Sequence, residues 1–68
     1  METEVFNVKN MNSQEDADKI LASIEHVWGL SKAEVSLLKK EATVTFDERM
    51  ASTQDFVQAI VETGFDLN

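Results

Sequence analysis

The chain has 68 residues, a formal charge of −7 and a hydrophobic fraction of 43%, which is enough for one small core spanning residues 1–68 as a single domain. It has no cysteine, so disulfides and thiolate metal sites are excluded and the fold must hold on buried apolar groups alone. Thirteen acidic against six basic side chains disfavour nucleic acid and anionic membranes and favour a protein partner with a basic surface.

Residues 3–8 read as a first strand, with Phe6 and Val8 on one face and Asn7 and Lys9 on the other. Asn10, Met11 and Asn12 supply loop chemistry. From 14 to 27 the apolar spacing changes to that of an amphipathic helix, with Ala17, Ile20, Leu21, Ile24, Val27 and Trp28 on one stripe. Trp28 closes that stripe, so it is expected to be partly buried, with exposure as a docking anchor the lesser alternative. Gly29 is placed to end the helix in the left-handed conformation.

Ala33, Val35 and Leu37 alternate with polar residues as a second strand. A polar turn at 39–41 leads to a third strand with Ala42, Val44 and Phe46 facing inward. A second helix is expected over 53–63, with Phe56, Val57, Ile60 and Val61 inward and Gly64 at its end. Residues 65–67 have room only for a short fourth strand. The order β-α-β-β-α-β predicts an α+β, ferredoxin-like sandwich: a four-stranded antiparallel sheet with both helices on one face.

Both helices open on the same spacing, Ser13-Gln14-Glu15-Asp16 and Ser52-Thr53-Gln54-Asp55. Serine before an amphipathic helix with an acid three residues on is the capping-box pattern. Ser13 is expected to accept from the Asp16 amide, and Asp16 to reach back to the Ser13 amide.

The chain resembles the heavy-metal-associated domain family of small copper chaperones and N-terminal modules of metal-pumping P-type ATPases. The family's metal loop, Gly-Met-x-Cys-x-x-Cys, aligns with Asn10-Met11-Asn12-Ser13-Gln14-Glu15-Asp16. Asp16 lies thirteen residues before Gly29-Leu30, the family interval, and Gln58 through Phe65 is similar to its closing helix and Gly-aromatic turn. Three features depart from the pattern: both cysteines are absent, Asn10 stands for the Gly, and the last strand is short.

The resemblance implies a metal-homeostasis role with docking through the loop and first helix. It cannot carry over thiolate chemistry, because hydroxyl and carboxylate oxygens do not replace sulfur for Cu(I). The first expectation is therefore a non-enzymatic, cytoplasmic, copper-chaperone-like domain without the thiolate site or any cofactor. It would dock on a protein such as a metal-transporting ATPase or a related domain. Asn12, Ser13, Gln14, Glu15 and Asp16 form the interaction loop, and the chain is a monomer or weak dimer.

The alternative keeps a metal ion, transported or bound through oxygen ligands or through a site that a partner completes. Glu15, Asp16 and Asp66 are the candidate carboxylates, and Met11 offers a thioether that is better placed in the core. His26 is the single histidine and reads as a solvated residue. No nucleophile constellation or phosphate loop points to catalysis.

Overall fold

In a computed structural model, described over residues 1–67, the order of elements is β1 (Glu2–Asn7), α1 (Gln14–Glu25), β2 (Leu30–Ser36), β3 (Glu41–Phe46) and α2 (Thr53–Glu62). The sheet has three strands in the order β1-β3-β2, all antiparallel. The expected four-stranded sheet is thus corrected: the fourth strand is reduced to one antiparallel bridge between Val8 and Leu67. That bridge lies beside β1, where a fourth strand of this topology would pair. Gly64 closes α2 at a positive φ, and Phe65, Asp66 and Leu67 follow it toward that bridge.

One face of the sheet is covered and the other open, as alternation along the strands requires. Phe6, Ala42, Val44 and Phe46 point inward and meet Ala17, Ile20 and Ile24 of α1 and Phe56 and Ile60 of α2, all buried. Phe46 and Phe56 stack at a tilt with ring centroids 4.9 Å apart. On the open face Thr3 and Thr45 share a hydroxyl hydrogen bond of 3.2 Å across the β1–β3 pair. Val61, expected inward, is half exposed, and Val57 is only partly buried. The inward stripe of α2 is narrow, centred on Phe56 and Ile60.

Helix α1 stops at Glu25, short of the expected 27, and this changes the environment of Trp28. The chain tightens after Ile24: the Val27 amide donates to the Ile24 carbonyl at 3.1 Å, three residues back rather than four. Tightening rotates the later side chains out of phase with the stripe. Trp28 is therefore 77% exposed, which overturns the expectation of partial burial.

Gly29 follows with φ +96°, and a Cβ there would lie 2.8 Å from the Met50 Cβ. No other residue type fits that position without strain and a clash.

The β3–α2 connection is built around Asp47. Its amide donates to the Gly29 carbonyl at 3.0 Å, and its own carbonyl accepts from the Met50 and Ala51 amides. Its carboxylate accepts from the Arg49 amide and from the guanidinium at 2.9–3.0 Å. Those Arg49 hydrogen bonds lower the Asp47 pKa from 3.8 to about 2.

The ionised carboxylate is thus favoured in the folded state. Its contribution to stability is present above the unfolded value of 3.8 and is lost as pH falls through about 2. Carbon-detected titration of Asp47 should show a midpoint near 2, returning toward 3.8 in Arg49→Ala. An ordinary midpoint in the native chain would show that Arg49 does not hold the carboxylate.

In the β2–β3 hairpin the turn has its Lys40 amide donating to Leu37 at 3.3 Å, with Lys40 itself in the left-handed region at φ 55°. Its carbonyl then accepts from the Val8 amide at 2.8 Å, which sets the hairpin against the chain leaving β1. The registers place Glu2, Phe46 and Leu30 at one end of the sheet and Asn7, Glu41 and Ser36 at the other. The loop that opens α1 sits at the second end. Gly29, Trp28 and Met50 sit at the first.

Candidate functional site

The loop from Val8 to Ser13 begins as a tight turn, the Met11 amide donating to the Val8 carbonyl at 3.2 Å. The turn points the Met11 side chain into the core, where it is fully buried. Its sulfur is therefore a packing atom under the loop, as the sequence suggests, and is not presented as a ligand.

Ser13 is the N-cap of α1, extended at φ −143° and ψ 164°, and its hydroxyl accepts from the Asp16 amide at 3.2 Å. The reciprocal bond is made one residue earlier than expected. The Asp16 carboxylate accepts from the amide of Asn12, at 3.0 Å, rather than from that of Ser13. At α2 the equivalent acid does reach the cap amide, Ser52 donating to Asp55 at 2.8 Å. Glu15 and Asp16 in the first turn also oppose the positive end of the helix.

Ser13→Ala should lower stability by about 1 kcal/mol, the usual value of an N-cap side chain. Urea unfolding checks it, and an unmoved midpoint would remove the cap from the account.

Asn10 is the residue that sequence reasoning undervalued. Its side-chain oxygen accepts from the Asp66 amide at 2.9 Å and its side-chain nitrogen donates to the Gly64 carbonyl at 3.4 Å. It therefore pins the loop to the turn after α2. Asn12 adds a second set of contacts, donating to the Asn10 carbonyl at 3.3 Å and accepting from the Lys40 ammonium at 3.3 Å. The available signal was a polar amide where the resembling family has Gly.

The candidate carboxylates are near this loop, but Glu15 and Asp16 are turned to other partners. Glu15 faces Lys19 one helical turn on, at 3.6 Å. Asp16 serves the Asn12 amide, and Asp66 enters the network through its backbone rather than its carboxylate. Among the described residues no three His, Cys, Asp or Glu side chains converge as a cation site. The donor set at positions 13 and 16 is one hydroxyl and one carboxylate, both hard oxygens. It does not fit Cu(I), which takes sulfur.

Gln14 donates to Asp18 at 3.0 Å along the outer face of α1. Lys9, Lys39 and Lys40 stand together with Asn7 at the same end of the molecule, so this pole is mixed in charge rather than uniformly acidic. His26 is exposed and lies at the other end of α1. Among the described residues no helix is long and apolar enough to cross a membrane.

Comparison with known proteins agrees with this geometry. The model of the heavy-metal-associated domain matches residues 5–66. The copper chaperone CopZ of Enterococcus hirae is 33% identical over 60 residues, covering 88% of this chain and 87% of that protein. The copper chaperone CopZ of Staphylococcus haemolyticus is 28% identical over 67 residues, 98% of each. Among solved structures, a copper-binding domain from HMA7, a P-type ATPase, superposes with a TM-score of 0.94 at 28% identity, covering 100% of this chain and 92% of that one. With the family model matching residues 5–66 and a relative 33% identical over 88% of its length, the chain belongs to the heavy-metal-associated domain family.

Proposed function

We propose that this chain is a cytoplasmic, non-enzymatic docking module of metal homeostasis that does not itself carry Cu(I). One observation carries the reading. The two positions that would hold thiolates instead make helix-start hydrogen bonds, Ser13 to the Asp16 amide and Asp16 to the Asn12 amide. The relatives named copper chaperones, and the similar domain of a P-type ATPase, support a partner drawn from metal transport.

The docking face is the loop and first turn, Asn12, Ser13, Gln14, Glu15 and Asp16. All are exposed except Asp16, which is partly buried. A matching surface offers basic groups to Glu15 and Asp18 and acidic groups to Lys39 and Lys40.

Two measurements test this. Titration with Cu(I) against a competing chelator should leave the metal with the chelator; tight stoichiometric uptake would sink the proposal. Adding the soluble metal-binding domain of a copper-transporting P-type ATPase to isotope-labelled protein should shift amides at 11–16. An unchanged spectrum at high partner concentration would count against docking through this loop.

A further inference from the structure

A second surface stands at the pole away from the loop. The turn that follows α1 leaves Trp28 77% and Met50 49% exposed, side by side above Gly29. They form the apolar end of a cleft of about 470 Å³ that rises between the end of α1 and the outer face of α2. The α2 wall is a single stripe, Asp55, Gln58, Ala59 and Glu62, at the i, i+3, i+4, i+7 spacing of one helix face. It carries a carboxylate at each end, about 10 Å apart along the axis at the usual helical rise.

The charge of this cleft has one sign. Asp55 and Glu62 line it, and among the described residues no lysine or arginine does; Glu25 lines the adjoining depression, which shares His26, Val27, Trp28 and Met50 with the cleft. The nearby cations are occupied: Arg49 is held by Asp47 at 2.9 Å and the N-terminal ammonium by Glu48 at 3.2 Å. The last turn of α1 contains no basic residue, so its carbonyl end adds further negative potential. His26 is the one remaining titratable group on the wall.

We propose that this cleft docks a cationic amphipathic helix of a protein partner, its apolar face on Trp28 and Met50 and its Lys or Arg residues against Glu25, Asp55 and Glu62. Apolar anchors ringed by charge are the usual form of helix-in-groove recognition, and tryptophan is prominent among binding hot spots. Cations two turns apart on the incoming helix match the two-turn separation of Asp55 and Glu62. The inference is independent of the loop, because none of these residues belongs to it.

Trp28 is the single tryptophan of the chain, so its emission reports directly. The probe is a Leu/Lys amphipathic peptide of roughly 15 residues, about the length at which an isolated helix holds. A Leu/Glu peptide of the same pattern and a Gly/Lys peptide are the comparisons. Only the Leu/Lys peptide should shift Trp28 emission to the blue and move amides at 26–28, 50 and 55–62.

Glu25→Gln with Glu62→Gln should weaken binding roughly tenfold, the sum of two ion pairs. Trp28→Ala, followed by amide shifts, should weaken it roughly thirtyfold or more, as a hot-spot anchor does. Both variants change exposed side chains, and an unchanged amide pattern elsewhere certifies the fold.

The proposal is overturned if the Leu/Lys peptide does not bind, or if either comparison peptide binds as well. It is equally overturned if the shifts fall on 10–16, or if Trp28→Ala binds like the native chain.

Discussion

Ser13→Cys combined with Asp16→Cys is expected to give a chain that binds Cu(I) stoichiometrically, with the fold retained. The fold superposes on a copper-binding ATPase domain with a TM-score of 0.94. Asn10 through Asp16 resembles the family's Gly-Met-x-Cys-x-x-Cys loop, a resemblance that would set the two sulfurs at the start of the first helix. Positions three apart on a helix start have Cβ atoms about 5–6 Å apart, within reach of one ion held by two thiolates. The substitutions also remove the hydroxyl that caps the Asp16 amide and the carboxylate that accepts from Asn12, so the loop is freed as ligands arrive. Adding Asn10→Gly separates ligand identity from loop mobility. If the folded double variant fails and the triple variant binds, the Asn10 pin is what resists the metal. If both fail while folded, the backbone of this loop does not bring the two sulfurs together.

Phe56→Ala should have the largest effect on stability of any single substitution considered. Phe56 is fully buried at the centre of the core, with Phe46 4.9 Å away across the sheet–helix interface. Truncating a buried Phe costs about 3–5 kcal/mol, part of it from the cavity left behind. A domain this small has roughly 3–10 kcal/mol in total. Chemical denaturation should therefore find the variant unfolded or near its midpoint without denaturant. A loss under about 1 kcal/mol would mean that Phe46 and Ile60 collapse into the space, and that the core is less tightly specified than its burial implies.

Much of the fold was legible because it rests on periodicity. Phe6, Val44 and Phe46 announce their strands by alternation, and Ile20, Ile24, Phe56 and Ile60 announce their helices by spacing. Ser13 announced its cap by chemistry, and Gly29 announced its positive φ. What escaped was what periodicity does not encode. Trp28 continues the stripe of α1 in sequence but leaves it in space, because the last turn tightens.

At the site, the serine and acid were readable as a helix start, whereas the destination of the Asp16 carboxylate was not. A shift of one residue between two neighbouring amides depends on the loop path, since the same side chain at Asp55 reaches its own cap amide. Asn10 was noticed as a departure from Gly, but its partner is 56 residues away, and no local pattern connects them.

That long-range bond has a kinetic consequence. The Asp66 amide is held by the Asn10 side chain, so its exchange with deuterated solvent times the release of the loop from the turn after α2. One peptide N–H near the end of the chain thus acts as a clock for a segment near its beginning. A partner that clamps the loop would slow that clock, and one that pulls Asn10 away would speed it.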